Sequence, residues 1–179
     1  MSKENFPEFY RLCAALSIPP EEVIYHYAES LTLFWYILSP VDSHHALAAE
    51  IFNHFRHSGH HKVQRSEEKR LRLIGHVRSV IRIIRASGPT EQKEEKAAML
   101  ANQWFEQYHE TKQLNLNLGN GRRFPLPREF FLVCDIFSAS PADVVRHFVA
   151  SFSALSDINQ PACCFLWHRA AILHDSEMN

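Results

Sequence analysis

Two segments of the chain carry the same pattern. Residues 9–32 read FYRLCAALSIPPEEVIYHYAESLT, and residues 130–153 read FFLVCDIFSASPADVVRHFVASFS. At a constant offset of 121 residues, seven of the 24 aligned pairs are identical, among them Cys13/Cys134, Pro20/Pro141 and His26/His147. This internal repeat predicts two similar apolar faces that bury each other around a pseudo-two-fold axis, as the faces of a homodimer do.

Each copy of the repeat predicts a helix, a tight turn and a second helix. Apolar residues recur at helical spacing in residues 9–16, and the run from Ser17 to Pro20 interrupts them. Pro20 is well placed at the start of a helix, where its missing N–H leaves no bond unmade. In the second copy, Ser140 and Asp143 around Pro141 predict an N-cap and a capping box.

Three further helices are predicted between the copies. The first runs from Ser43 to about Arg56, the second from Ser66 to Ala86, and the third follows Gly88 and Pro89 with Thr90 as its cap. The second helix has an apolar side made of Leu73, Ile74, Val77, Val80, Ile81 and Ile84. The third is expected to bury Ala97, Ala101, Trp104, Phe105 and Tyr108. A last helix is predicted from about Pro161 to His174.

The segment between the third middle helix and the second copy has a different period. Leu114, Leu116 and Leu118 alternate with asparagines, and Gly119 to Gly121 follow, which predicts a short β ribbon near residues 114–126. The fold expected for residues 1–179 is a single all-α domain of about seven helices with this minor β element.

Composition excludes several classes of protein. With 19 basic and 20 acidic side chains, the whole-molecule charge favours neither a polyanionic nor a polycationic partner. Residues 1–9 lack the apolar core of a secretion signal, and the most apolar stretch is too short to cross a bilayer, which predicts a cytoplasmic protein without membrane contact. The four cysteines are expected to be reduced.

The second copy and its lead-in, RRFPLPREFFLVCDIFSASPADVVRHFVASF, resemble the ribbon-helix-helix family of DNA-binding proteins over residues 122–153. The matching pieces are the strand-like residues 122–126, the helix start at Pro127 and the turn from Ser138 to Pro141; residues 9–32 match in part. The resemblance implies a ribbon that enters the major groove of DNA. It assigns DNA contacts to Arg122 and Arg123, and to Asn115 and Asn117 if the strand begins earlier.

Basic residues flank the apolar side of the predicted helix from Ser66 to Ala86. They are Arg65, Lys69 and Arg72 on one edge and Arg78, Arg82 and Arg85 on the other. The favoured interpretation is a solvated edge, with methylene groups covering the apolar side and charges in water. A surface that follows phosphates, or ion pairs with Glu91, Glu94 and Glu95, are the alternatives.

Histidines and cysteines supply the other candidate sites. Half of the 12 histidines lie between His44 and His61, and His54, His57, His60 and His61 form a candidate site for a transition metal. Cys164 lies four residues before His168 and gives a candidate thiol–imidazole pair. The repeated His26 and His147 are interpreted as hydrogen-bonding residues at the edge of the duplicated core.

Taken together, these patterns predict a non-enzymatic binding or regulatory protein, with DNA as the leading partner. One alternative is a metal-binding or thiol enzyme that uses the His44–His61 cluster or Cys164 and His168. The other is a structural helical domain that binds a protein partner or forms a homo-oligomer.

Overall fold

The computed structural model describes residues 5–38, 43–59, 63–108, 125–154 and Phe165. These residues form eight α-helices and one short 3₁₀ helix, and they contain no β-strand. The helices are α1 (Pro7–Ala15), α2 (Pro20–Ser30), α3 (Leu33–Leu38), α4 (His44–His57), α5 (Glu67–Arg85), α6 (Thr90–Tyr108), α7 (Arg128–Ile136) and α8 (Pro141–Ala150), and the 3₁₀ helix spans Ser151–Ala154. The all-α prediction is confirmed for this part of the chain. Residues 114–124 of the ribbon predicted near 114–126, and all but Phe165 of the predicted last helix, lie outside it.

The starts of the middle helices are set by local capping signals. Ser43 caps α4 by accepting a hydrogen bond from the Ala46 N–H at 3.2 Å, and Ser66 caps α5 by accepting one from the Lys69 N–H at 3.3 Å. The prediction for Thr90 was wrong, because Thr90 is the first residue of α6 and the carbonyl of Pro89 accepts the Lys93 N–H. Proline has a fixed φ and no N–H, so it suits this entry to a helix.

Helix α3 was not predicted from the sequence. Its sequence, LFWYIL, is apolar on every side, so it has no helical period to detect. Thr32 starts it, since its side-chain oxygen accepts the Trp35 N–H at 3.2 Å and its carbonyl accepts the Tyr36 N–H at 3.0 Å. The helix thereby places the Trp35 indole beside α6.

The hairpins α1–α2 and α7–α8 have the same local structure at corresponding positions. Their turn residues Ser17 and Ser138 both have a φ of 55°, in the left-handed region. In each turn the N–H after the serine bonds back to a cysteine carbonyl: Ile18 to Cys13 at 3.0 Å, and Ala139 to Cys134 at 2.8 Å. This is a Schellman motif, in which serine occupies the position that glycine usually takes.

The capping box predicted for α8 was wrong. Ser140 is the N-cap and Pro141 is the first helical residue, but the Ser140 side chain makes no capping hydrogen bond. Asp143 instead accepts a hydrogen bond from Arg146 at 2.6 Å, one turn further along the helix.

The two hairpins contribute aromatic rings to one core. Tyr27 of α2 and Phe148 of α8 are stacked, with centroids 4.1 Å apart and planes 1° from parallel. Phe9 meets Phe148 at 6.4 Å and 69°, and Tyr27 meets Phe130 at 6.4 Å and 68°. The buried Phe165 lies edge-on to both stacked rings, at 6.0 Å from Tyr27 and 5.9 Å from Phe148. All five of these side chains are almost completely buried.

The α5–α6 hairpin packs on α3 and α7 at one side of this core. Leu73 and Val80 of α5, and Ala97, Ala101, Trp104 and Phe105 of α6, are buried as predicted. Ile74 departs from the prediction, because 44% of it is exposed. Within the described ranges, none of the helices combines the length and apolar character needed to cross a membrane.

Candidate functional site

The residues assigned to DNA by the family resemblance lie outside the described part of the chain. This holds for Arg122, Arg123, Asn115 and Asn117, and equally for Cys164 and His168 of the candidate thiol site. Their contacts therefore remain predictions. The surfaces that the structure does describe belong to α4, α5, α6 and the turn between α7 and α8.

The predicted metal site is described in part. His54 and His57 are exposed on the last turns of α4, and His57 Nδ1 lies 2.6 Å from the carbonyl oxygen of Asn53. His60 and His61 lie outside the described residues. No group of three or more histidine, cysteine, aspartate or glutamate side chains suited to a metal ion occurs among the residues described.

His26 and His147 have unlike surroundings, although the repeat places them at corresponding positions. His26 is 9% exposed and its ring stacks on His44, with centroids 5.3 Å apart. His44 and His45 continue this row of rings as far as Trp35. His147 is half-buried, and its ring meets Phe55 edge-on at 5.6 Å. The rings also make polar contacts: His26 Nδ1 lies 3.8 Å from a carboxylate oxygen of Glu29, and His45 Nδ1 lies 2.9 Å from the Ser30 carbonyl oxygen.

Asp135 of α7 anchors the start of α5, a contact that the sequence did not reveal. Its two carboxylate oxygens lie 2.7 Å from Arg65 Nη2 and 2.7 Å from Lys69 Nζ. The Val63 N–H also donates to the Ser138 carbonyl at 2.7 Å. Asp135 is 6% exposed, so the two cations neutralise a buried charge. The prediction of a solvated edge was wrong for Arg65 and Lys69.

The outward side of α5 carries an exposed stripe of residues. These are Leu71, Ile74, Gly75, Arg78, Arg82 and Arg85, spaced three or four apart and so on one side of the helix. Leu71 is 61% exposed, the largest value among the big apolar side chains of the described chain. For Arg78, Arg82 and Arg85 the predicted solvated edge is confirmed, because all three are exposed.

A groove of about 280 Å³ runs beside this stripe, between α5 and the end of α7. Its apolar floor is formed by Leu73, Ile74, Val77 and Ile136. Arg70 and Arg78 line it as well, together with the buried Asp135 and the half-buried Ser138. An apolar floor beside arginines suits an amphipathic, acidic surface better than a small apolar molecule.

The three glutamates at the start of α6 differ in their contacts. Glu94 accepts a hydrogen bond from the Trp35 indole N–H at 2.6 Å. Glu91 and Glu95 are exposed. Among the described residues, no ion pair joins any of the three to an arginine of α5, so the alternative prediction of such pairs is wrong.

Glu129 of α7 is a carboxyl group in a poorly solvated place. Burial, with a contribution from the nearby Glu94 carboxylate, raises the pKa of Glu129 to about 7. A carboxyl group with this pKa takes up and releases protons near neutral pH. The α6–α7 contact therefore contains a group whose charge depends on pH.

The two described cysteines are not activated thiols. Burial raises the pKa of Cys13 to about 12 and that of Cys134 well above its ordinary value. A protonated, buried thiol is a poor nucleophile and a poor metal ligand. Both side chains act as small apolar residues at corresponding positions of α1 and α7.

The described geometry thus consists of an aromatic core, a basic and apolar stripe on α5 with its groove, and a carboxyl group whose charge depends on pH. The stripe and its groove expose apolar area and charge together. Comparison of the chain with protein-family models, with curated proteins and with solved structures found no significant match.

Proposed function

We propose that the protein is a non-enzymatic binding and regulatory protein, built on a duplicated helical hairpin whose two copies are related by a pseudo-two-fold axis. The observation that carries this proposal is the reciprocity of the ring contacts. Phe9 of the first copy meets Phe148 of the second, and Phe130 of the second meets Tyr27 of the first, at the same distance of 6.4 Å. In an isologous interface, a contact between residues i and j is always repeated between j and i.

The stack of Tyr27 on Phe148 supports the same axis. These residues correspond at the offset of 121, and residues next to a two-fold axis contact their own equivalents. Phe165 touches both rings at nearly equal distances, as a residue close to the axis would. An experimental structure tests this directly, because the rotation that superposes residues 7–30 on residues 128–151 should be about 180°. A rotation far from that value would remove the axis.

We infer that the partner is DNA. In ribbon-helix-helix proteins a dimeric helical core holds two strands that enter the major groove, and here one chain would supply both halves of that core. The lead-in to α7 contains Arg122 and Arg123, with Asn115 and Asn117 before them. Arginine pairs with guanine and asparagine with adenine through two hydrogen bonds each, so these side chain types suit base edges.

A fluorescence anisotropy titration with labelled duplex DNA tests this inference. Binding at about 50 mM salt should weaken steeply towards 200 mM, because each neutralised phosphate releases counterions. The double variant Arg122→Ala, Arg123→Ala should bind at least about tenfold more weakly, the loss of one good base or phosphate contact being worth about 1–3 kcal/mol. The matched control is Arg78→Ala, Arg82→Ala on α5, which removes the same charge and should leave binding intact.

Two outcomes would contradict the inference. Absence of binding at the lowest salt would remove DNA as the partner. An equal loss of binding in the α5 control would show that DNA contacts depend on overall charge or on α5, and not on Arg122 and Arg123.

A protein-interaction function is the second candidate, and a specific observation favours it. Of the five large apolar side chains that the described chain exposes, Leu71 and Ile74 belong to α5 and Met99 to α6. Apolar side chains gathered on one hairpin are typical of a surface that another protein covers.

A further inference from the structure

Helices α5 and α6 form an antiparallel hairpin with two different outward stripes. The loop between them is short, and the contacts fix their direction: Lys93 Nζ donates to the Ile84 carbonyl at 3.2 Å near the loop, while His76 meets Trp104 at the far end. The outward stripe of α5 is basic near the loop and apolar beyond it. The outward stripe of α6 has Glu91 and Glu95 near the loop and Met99 beyond them.

The charges of these stripes are unsatisfied within the described chain. No described side chain of opposite charge lies within ion-pair distance of Arg78, Arg82, Arg85, Glu91 or Glu95, whereas Arg70 and Arg72 nearby are paired with Glu67 and Glu68. Both stripes are solvent-exposed, and Ile74 and Arg78 of the α5 stripe also line the groove beside α7. One hairpin thus presents a basic stripe and an acidic stripe side by side.

We propose that this face binds the same face of a second copy of the chain, with α5 of each copy lying on α6 of the other. A two-fold axis parallel to the helices brings the two hairpins together with their loops at the same end. Each basic stripe then faces an acidic stripe, and by symmetry every contact is made twice. This proposal does not depend on DNA binding.

The register of the hairpin makes the two stripes match. Residues of α5 and α6 that are equally far from the loop lie at the same height along the helix axes, and a two-fold axis parallel to the helices keeps that height in the second copy. Arg82 of one copy therefore lies at the height of residue 93 of the other, between Glu91 and Glu95. Each glutamate is offset from that level by two residues, or about 3 Å along the axis, within the reach of an arginine side chain. At the other end, Ile74 comes to about the level of Met99, with a similar offset of about 3 Å. Opposite charges therefore face each other near the loop, and apolar residues face each other beyond it.

The available area is adequate for a dimer. Each helix has 19 residues. At 1.5 Å per residue and a width of about 10 Å, the two helices of one copy offer about 600 Å². Burial on both copies totals about 1,200 Å², at the lower end of specific protein interfaces. Gly75 lies within the α5 stripe, and no atom lies within 4 Å of the place where a Cβ would be, so a neighbouring helix has room to approach there.

Charge reversal and exchange test the proposal on the full chain. The wild-type protein should be dimeric by sedimentation equilibrium. The variants Arg78→Glu, Arg82→Glu and Glu91→Arg, Glu95→Arg should each raise the dimer dissociation constant on the order of 100-fold, because like charges then face each other. A mixture of the two variants should restore a one-to-one dimer, since each exchanged stripe again faces its opposite. The control Arg146→Glu, on the exposed side of α8, should leave the dimer unchanged.

The outcomes separate this interface from others. A monomeric wild type at 100 μM, or a mixture of the two variants that fails to form the heterodimer while circular dichroism shows both to be folded, would overturn the proposal. So would dimers of undiminished strength in both variants, because the dimer would then use another face. Loss of DNA binding in Arg78→Glu, Arg82→Glu from a monomeric wild type would assign the stripe to nucleic acid instead.

Discussion

Tyr27 and Phe148 lie ring on ring, 4.1 Å apart, although 121 residues separate them in the chain. Both side chains are completely buried, and each belongs to the second helix of its hairpin. The stack therefore joins the first and last hairpins of the described fold. Truncating either ring to alanine should cost about 3–5 kcal/mol of unfolding free energy.

The Tyr27 hydroxyl offers a more discriminating test of this stack. It is buried without a hydrogen-bond partner among the described residues, and burial raises the pKa of Tyr27 well above its ordinary value. Replacing Tyr27 with Phe removes an unsatisfied polar group, so urea unfolding should show about 1 kcal/mol of added stability. A loss of more than 1 kcal/mol, while the exposed control variant Tyr25→Phe stays neutral, would mean that the hydroxyl has a partner.

Glycine should stabilise both hairpin turns equally. Ser17 and Ser138 are held at a positive φ that L-residues adopt at a cost and glycine adopts freely. Ser17→Gly and Ser138→Gly should each add about 0.5–1 kcal/mol of stability, less the extra entropy of glycine in the unfolded chain. Thermal unfolding of the single and double variants measures this. Valine at either position, which tolerates positive φ poorly, should have the opposite effect.

Removing the Asp135 carboxylate should damage stability far more than removing a surface carboxylate. Asp135→Ala leaves Arg65 and Lys69 without their common partner, at an expected cost of about 3–5 kcal/mol. Asp143→Ala, which breaks the exposed pair with Arg146, should cost less than about 1 kcal/mol. A double-mutant cycle with Arg65→Ala should give a coupling of about 1–3 kcal/mol. Additive effects would show that the observed ion pair contributes nothing.

His76 should make the protein sensitive to acid. Burial lowers the pKa of His76 from 6.5 to about 4, so the unfolded chain binds this proton first as the pH falls. Stability should therefore decline between about pH 6.5 and pH 4, by up to roughly 3 kcal/mol. His76→Leu should flatten this decline in urea titrations at several pH values, whereas the exposed His54→Leu should not. If the stability of His76→Leu declines with falling pH as steeply as that of the wild type, other groups cause the decline.

Glu129 should lower the stability of the fold as the pH rises above neutral. Its pKa rises from 4.5 in the unfolded chain to about 7 in the fold, so the folded protein holds this proton more tightly. The contribution of Glu129 to the free energy of unfolding is fully present below pH 4.5 and is lost as the pH rises through 7. Glu129→Gln should add about 2 kcal/mol of stability at pH 8 and little at pH 4.5. The exposed Glu50→Gln serves as control, and equal effects of Glu129→Gln at both pH values would disprove the shift.

Local signals in the sequence predicted most of the helices. Ser43 and Ser66 gave the starts of α4 and α5 to within one residue, because an N-cap is a contact between near neighbours. Helix α3 was missed, since its apolar residues have no period, although Thr32 was a usable capping signal. Ser17 and Ser138, which are aligned in the sequence repeat, have the same φ of 55°.

The contacts of the candidate surfaces were harder to predict. Asp135 binds Arg65 and Lys69 from 70 and 66 residues away, and no local pattern specifies such a pairing. One signal was present: an aspartate within the apolar run FFLVCDIF is rarely buried without a cation. The exposure of Ile74 also depends on how far the turn between α7 and α8 extends over α5. The period of the apolar residues in α5 does not determine that extent.

The start of α5 is held against the α7–α8 hairpin by the hydrogen bond from the Val63 N–H to the Ser138 carbonyl and by the adjacent ion pairs of Asp135. A ribosome that has added Arg65 must add 70 more residues before Asp135 is present, and Phe148 follows Tyr27 by 121 residues. At about 5–20 residues per second, the first hairpin spends roughly 6 to 24 s with its aromatic side uncovered. During synthesis the aromatic side of the first hairpin consequently stays without its partner until the second hairpin leaves the exit tunnel.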